Sequence, residues 1–342
     1  MQVPSNTYPD HPAKRAISRS FGRIHFGLLE ISAGEPNCFG GIGLMIDGST
    51  AHLEANLADT PTEDLRLIGA NIYWESRVRS VIDHCCTQFY AEGRCATTRV
   101  SPVQSIALKD VPKPHCGLGS GTQMACTVAA IFAASLDSSM PLSVARLSEL
   151  SLRGRRSNIG LRGFLEGGLI VDYGKDSGTS SESRTRRWDF PNWPVLIVQD
   201  HRSLGDSGDT EATMFDRCSQ RPNPNRQSML QLIEQQLLPS LATRDWQGFD
   251  QAISCYGKWA GQIFEPVQGG IYRNSGIAET IAAANAIGIQ GACQSSWGPT
   301  VCAIARDHEH ALWCQSQLQQ RLPHSIVTLT QAMNQPALTS VS

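Results

Sequence analysis

The stretch "KPHCGLGSGTQMACTVAAIF" (Lys113–Phe132) sets three glycines and a serine around a single leucine, from Gly117 to Gly121. It then runs straight into an apolar segment of small residues. A helix that starts on such a turn leaves its first N–H groups unpaired and carries partial positive charge at that end. Glycines there let an anion come close to the backbone. The stretch therefore reads in two ways. It is a phosphate cradle, with Ser120 and Thr122 adding hydroxyl donors or a magnesium ligand, or it is a Gly-rich turn capped by Ser120. It lacks the GxxxxGK[S/T] pattern of a Walker loop, and no GxGxxG follows a strand in the way a dinucleotide fold requires.

Outward from that stretch, strands and helices mix in both halves, which predicts an α+β fold of two domains. Strand character covers Phe21–Ile31, and Gly40–Ala58 reads as two strands around the turn Asp47-Gly48. Trp74, Val78, Val81, Cys85 and Phe89 recur at steps of three and four, so that segment is an amphipathic helix. Strands follow at Ser101–Leu108, Phe164–Gly174 and Pro194–Asp200, with helices at Thr122–Ala134, Ser143–Leu152, 227–240, 246–262, 275–287 and 307–319. Residues 1–17 read as disordered, 18–185 and 190–330 as the two domains, and 331–342 as a tail. The polar runs Lys175–Arg187 and 201–226 read as loops.

The chain has 342 residues, of which 41% are hydrophobic, and a formal net charge of −2. No global basic field points to nucleic acid. The eleven cysteines are odd in number and lie mostly in apolar segments, which argues against a disulfide framework. There is no apolar leader and no uninterrupted apolar run of membrane-spanning length, so a cytoplasmic protein without membrane partners is expected. Cys293, Cys302, His308, His310 and Cys314 match no standard zinc spacing.

Six segments in order carry a resemblance: "GRIHFGLLEI", "FGGIGLMID", "GLGSGTQMA", "RGRRSNIGLRGFLEGGLIVDYG", "VQGGIYRN" and "QSSWGPTV". The third resembles the second motif of the GHMP kinase superfamily. Pro114, Gly117, Leu118, Gly119 and Ser120 match it, while Gly121 and Thr122 stand where Ser-Ala is usual. Together the six resemble the beta-ribofuranosylaminobenzene 5'-phosphate synthase family, over roughly Ser20 to Ala305. The resemblance implies a two-domain GHMP-like fold with the site in a cleft, and a homodimer. The implied reaction joins phosphoribosyl pyrophosphate to 4-aminobenzoate or 4-hydroxybenzoate and releases carbon dioxide and pyrophosphate, a step toward methanopterin. The alternative within the superfamily is an ATP-dependent small-molecule kinase. Against it, "RSNIGLRGF" puts Leu161 or Arg162 where those kinases carry a catalytic Asp.

That chemistry would ask three things of the residues. A cradle for pyrophosphate and magnesium is offered by Gly117, Leu118, Gly119, Ser120, Gly121 and Thr122, with Ser295, Ser296 and Gly298 closing over it. A positive pocket for the 5'-phosphate is offered by Arg153, Arg155, Arg156 and Arg162, which read equally as a solvated basic loop. Carboxylates to hold magnesium or face a cationic sugar are offered first by Asp172, then by Glu166 and Asp47. Asp172 also reads as a turn cap. Arg23 and His25 share one strand face, where Arg23 can pair with the benzoate carboxylate and His25 can transfer protons. Trp297 either stacks on the aromatic substrate or belongs to the core.

Overall fold

The computed structural model describes residues 14–31, 39–95, 97–174, 184–200, 217–218 and 223–342. Much of the expected loose start and of the two polar runs lies outside these, but Thr185–Arg187, expected in the first loop, form part of a strand. The larger sheet is built around β1 (Arg15–Leu28) and β2 (Gly41–Thr62), an antiparallel pair. The 22 residues of β2 form one long bent strand rather than the expected pair. Its first part pairs with β5 (Leu169–Asp172) and its second with β4 (Ser101–Asp110). The bend falls where the β1 register shifts between Ser20 and Gly22, beside Gly48 and Ser49, which both take positive φ. A positive φ bends a strand without ending its pairing. Two short strands complete this sheet's edges, β3 (Arg66–Ile68) on β4 and β6 (Thr185–Trp188) on β5.

Helices α1 (Ile72–Ala91), α2 (Ser120–Leu136) and α3 (Val144–Ser151) cover one face of this sheet. The α1 stripe is buried as its periodicity predicts, with Trp74, Val78, Val81, Cys85 and Phe89 inside. Asn71 caps it by accepting from the Trp74 N–H. On α2 the small residues let the helix sink into the core, where nearly everything from Gln123 to Ala133 is buried. A further short helix, α4 (Ile159–Glu166), was read as strand at its end, Phe164–Glu166. The Gly167-Gly168 pair, both at positive φ, turns the chain from that helix into β5.

The smaller sheet runs in the order β10 (Ser325–Thr330), β7 (Val195–Asp200), β9 (Thr300–Ile304), β8 (Cys293–Gln294), all antiparallel. Strand β7 is buried on both faces, which is why it reads as a continuous apolar run. Val195 and Ile197 face a core shared with Ile24, Phe26 and Leu44 of the larger sheet, and Leu196 and Val198 face α9 (Ser275–Ala286) and α10 (His308–Arg321). The shared core also takes α5 (Arg226–Leu232), a π-helical stretch (Ile233–Leu237), α6 (Leu238–Thr243) and α7 (Trp246–Gln262). A single turn, α8 (Glu265–Gln268), follows.

Residues 331–342, expected as a tail, instead return to the larger sheet. β11 (Leu338–Val341) pairs antiparallel with Ala16–Arg19, a stretch of β1 that begins before the expected domain start. Its alternation is too short and too exposed to stand out in sequence. Among the described residues no helix is long and apolar enough to cross a membrane.

The two halves meet at two glycine-rich turns. A Cβ added at Gly298 would lie 2.2 Å from the Gly117 Cα, and one at Gly117 would lie 2.9 Å from the Gly298 Cα. Both neighbours are backbone and have no side chain to swing away. Gly298→Ala is therefore expected to cost about 1–3 kcal/mol, read as a fall of a few degrees in Tm. Gly121→Ala, two residues into α2 with only the Arg153 Nη2 near at 3.8 Å, is expected to hold or raise Tm. Equal Tm values for wild type and Gly298→Ala would refute the tight seam.

Candidate functional site

A cavity of about 600 Å³ opens between the halves at this seam. Its N-terminal wall is the start of α2. Gly119 caps that helix in the left-handed region (φ 71°, ψ 16°) with no side chain to close off the first amides. The turn before it is pinned from the C-terminal half. Ser295 Oγ donates to the Gly117 carbonyl at 2.7 Å and accepts the His25 N–H at 3.1 Å. Thr300 Oγ1 donates to the Cys116 carbonyl, and Ser296 N–H donates to the His25 carbonyl at 2.8 Å.

Six cationic side chains line the cavity: Arg23, Arg77, Arg153, Arg155, Arg156 and Lys258. No described carboxylate does. In a chain of near-zero net charge this concentrates positive potential in one concave place, which suits a polyanion. The C-terminal half supplies an apolar floor that includes Ile271, Ala292 and Trp297, with Phe26 of β1 beside it. α7 packs closely on that floor, because Gly257 and Gly261, one turn apart, let it approach Cys293 and the Ile271 carbonyl, and it brings Lys258 to the lining.

Most of the residues singled out in the sequence do come together here. Gly117, Gly119, Ser120, Gly121, Thr122, Ser296 and Gly298 line the cavity, as do the three arginines Arg153, Arg155 and Arg156. Leu118 and Ser295 do not; the first is core and the second is a buried brace between the two turns. Trp297 borders the cavity, and it is 8% exposed and packs on Phe264 at 4.7 Å between ring centroids, as its core reading expects.

Arg23 lines the cavity, and its side chain lies against the phosphate turn, where a Cβ on Gly119 would be 3.2 Å from its Nε. Its Nη1 lies 3.2 Å from the Cβ position of Gly160, in the first turn of α4. This places it beside the cradle. His25 is buried and its pKa is lowered to about 3, first by burial and then by the Arg23 charge. Its Nδ1 accepts the Gly27 N–H at 3.2 Å, which assigns its proton to Nε2. His25 is thus a neutral hydrogen-bond donor at ordinary pH, not an imidazolium acid.

The expected carboxylates are not in the cavity lining. Asp172 is fully buried and accepts the Asn158 N–H at 2.8 Å, the Gly174 N–H at 3.0 Å and the Ser157 hydroxyl at 3.3 Å. Of the two readings it is the turn cap, and the turn it holds follows directly on Arg153–Arg156. Glu166 pairs with Arg162 at 2.8 Å on α4, which removes both from the phosphate site. Asp47 lies at the bend of β2, where its N–H donates to the Gln331 carbonyl. Magnesium would find hydroxyl and amide oxygens in the lining, Ser120 and Thr122 at the cradle among them, but no described carboxylate, a donor set that does not make a protein-built metal centre.

Among the lining residues not read from the sequence are Tyr73, Arg77, His115 and Lys258, all with ionisable or hydrogen-bonding groups. Tyr73, Arg77 and Lys258 lie on amphipathic helices, where a polar residue reads as solvated face. His115 lies two residues before Gly117 inside the Gly-rich stretch, and its position there was the available signal.

No protein-family profile matches the chain. Among curated proteins it is similar to the beta-ribofuranosylphenol 5'-phosphate synthase of Archaeoglobus fulgidus, 28% identical over 300 residues, covering 84% of this chain and 86% of that protein. It is also similar to the protein of the same name from Methanocaldococcus jannaschii, 22% identical over 70% of this chain and 75% of that one. Among solved structures it aligns with mevalonate diphosphate decarboxylase from Staphylococcus aureus (TM-score 0.68, 13% identity, 96% of this chain and 98% of that one). Homoserine kinase from Cytophaga hutchinsonii aligns at TM-score 0.62 and 12% identity, over 98% and 100% of the two chains. The synthase resemblance is borne out by the first comparison and the GHMP kinase fold by the second.

Gly119→Val is expected to remove anion binding without unfolding the chain. The new side chain meets Arg23 at 3.2 Å and must adopt φ 71°. Pyrophosphate affinity by calorimetry should fall about 10-fold or more, ~1.4 kcal/mol, with a cooperative melt retained. Unchanged affinity would remove the cradle from this turn.

His25 also sets a pH dependence. Its folded pKa of about 3 lies below the ordinary 6.5, so the stability it contributes is full above 6.5 and is lost progressively as pH falls toward 3. By NMR its ring should not titrate between pH 5 and 8, and His25→Gln should flatten acid destabilisation. A ring that titrates near 6.5 would contradict the buried neutral state.

Proposed function

We propose that this chain is a decarboxylating phosphoribosyltransferase, joining phosphoribosyl pyrophosphate to a 4-substituted benzoate. The observation that carries the reading is a cavity lined by six cations and no described carboxylate, wrapped around unclosed helix amides and floored by apolar side chains. The relatives' names say phenol, which puts 4-hydroxybenzoate ahead of 4-aminobenzoate. On this reading the product lies on the route to methanopterin.

The diphosphate is held by the amides at Gly119–Gly121 and the Thr122 hydroxyl, with Arg23 and Arg153 beside them; the Thr122 N–H is already given to the Gly119 carbonyl at 3.0 Å. As the ring carbon that bears the carboxylate attacks C1 of the ribose, the C1–O bond breaks and its electron pair leaves with pyrophosphate. The guanidinium groups and amides are fixed in place before that charge develops, which is where such donors lower a barrier most. The C–carboxylate bond then breaks, its electrons restore the aromatic ring, and carbon dioxide departs. No hydroxyl has to be deprotonated, in keeping with a cavity that offers neutral His25 and no described carboxylate. The arginines that line the cavity supply charge compensation at the leaving group.

Lys258 is the one cation that the described C-terminal half gives to the lining, and it forms no ion pair with any described residue. On the apolar side of the cavity it takes the benzoate carboxylate, the part first assigned to Arg23. A transferred phosphoryl group would need a residue to orient or deprotonate its acceptor. The described lining has no carboxylate to do that, and the kinase alternative loses support accordingly.

The decisive assay is release of labelled carbon dioxide from carboxyl-labelled 4-hydroxybenzoate and 4-aminobenzoate, with and without phosphoribosyl pyrophosphate. Donor-dependent release from at least one acid is expected, with no transfer from the γ-position of ATP. Absence of release from both by folded protein would defeat the reading. In the same assay Lys258→Met should raise the KM of the aromatic acid about 10-fold with little effect on the donor's, and Arg23→Lys should do the reverse. Equal effects on both substrates would break the division of the cavity into two sides.

A further inference from the structure

Tyr73 and Arg77 lie four residues apart on α1, one turn above the other on its cavity side. The Arg77 guanidinium sits over the Tyr73 ring, its Cζ 4.6 Å from the centroid. Stacking fixes the plane of the guanidinium while leaving the in-plane N–H groups unused. No described carboxylate or carbonyl takes them; the nearby Glu75 pairs with Arg79 at 3.1 Å instead. The Tyr73 hydroxyl is tied to His115 Nε2 at 2.9 Å, and the two rings meet edge to face with centroids 5.3 Å apart. His115 itself takes a left-handed φ of 55°, an unfavourable backbone state for a residue with a side chain, directly before the phosphate turn. The proposed diphosphate cradle does not use this cluster. Arg153 stands between the two: its Nη2 lies 3.8 Å from the Cβ position of Gly121, and its charge reaches the Tyr73 phenol.

We propose that Tyr73, Arg77 and His115 form a second anion subsite, which takes a phosphate monoester and is separate from the cradle at Gly119–Thr122. The donor set selects the ligand class. A carboxylate needs only one planar fork. A phosphate monoester offers three oxygens and up to two charges, which the Arg77 fork, Arg153 and, with His115 Nε2–H donating to its oxygen, the phenol hydroxyl meet from different directions. The ligand's identity as the 5'-phosphate of the sugar donor rests on the function proposed above; the phosphate chemistry of the subsite does not. The subsite corrects the placement of that phosphate on the arginine loop alone, adding a wall from α1.

The test is calorimetry on the full chain with ribose 5-phosphate, ribose, inorganic phosphate and pyrophosphate. Wild type should bind ribose 5-phosphate and fail to bind ribose. Inorganic phosphate binding as tightly as ribose 5-phosphate would overturn the monoester assignment. Arg77→Met should weaken ribose 5-phosphate about 10- to 100-fold and pyrophosphate by less than about 3-fold, the difference between a direct and a neighbouring charge. Tyr73→Phe keeps the ring under Arg77 and removes only the hydroxyl; it should weaken ribose 5-phosphate about 3- to 10-fold at unchanged Tm. Wild-type binding of ribose 5-phosphate in both variants, or equal loss of ribose 5-phosphate and pyrophosphate, would overturn the proposal. So would no binding of ribose 5-phosphate by wild type at millimolar concentration. If carbon dioxide is released but Arg77→Met binds ribose 5-phosphate normally, the subsite is wrong and the function stands. If no carbon dioxide is released but ribose 5-phosphate binding depends on Arg77, the function is wrong and the subsite stands.

Discussion

The contact between the backbones of Gly117 and Gly298 is the constraint on which the rest of the site depends. It lets a turn from each half of the chain touch with no side chain between them. Ser295 and Thr300 can then reach the carbonyls of Gly117 and Cys116, and those bonds fix where α2 begins. The β1 strand is fixed by the same turns: His25 is bonded through its N–H to Ser295 and through its carbonyl to Ser296, and the Arg23 N–H donates to the Leu118 carbonyl. The anion-binding face of the N-terminal half is thus held in place by residues of the C-terminal half. Any side chain at either glycine would push the turns apart and move the helix start, Arg23 and His25 together.

Charge is arranged around that frame by separation. The chain carries slightly more acidic than basic residues, 31 against 29. At the cavity the bases face inward and the acids stand behind or away. Asp172 is buried outside the lining and spends its oxygens on the backbone at Asn158 and Gly174. By ordering the turn after Arg153–Arg156, it shapes the loop that presents those arginines without lowering their field with a nearby exposed charge. His25 lies close to Arg23 and stays neutral, so it adds no repulsion to a crowded group of cations. A polyanion entering this space neutralises charges that the fold has already brought together, which favours a ligand with several negative oxygens over a single carboxylate.

The parts of this design that were legible in the sequence share one property: their signal is local. The turn Gly117–Gly121 and the stripe Trp74–Phe89 are dictated by backbone freedom and by helical period, and each declares itself within a few residues. Asp172 kept two readings because a carboxylate that caps a turn and one that faces a ligand look the same at the end of an apolar strand. Its partners tell them apart, and Asn158 is fourteen residues away. Arg23 was placed in the cavity but not along it, since strand alternation gives a face but not a position along that face. Arg77 and Lys258 gave no warning because a cation on an amphipathic helix is ordinarily solvated. β11 was missed because its pairing partner lies at the opposite end of the chain.

The fold is shared with kinases and with a diphosphate decarboxylase, so the cradle alone does not select a reaction. The first turn of α4 is more selective. Gly160 lies so close to Thr122 and Arg23 that a Cβ there would stand 2.9 Å from the Thr122 Cγ2 and 3.2 Å from the Arg23 Nη1. The space beside the cradle is filled by a guanidinium, and even an alanine at this position would crowd it. A carboxylate side chain at Gly160 would have to displace Arg23. The space beside the cradle is thus committed to a positive charge, which favours a bound anion over a group that would direct a phosphoryl acceptor, in keeping with the reaction proposed above.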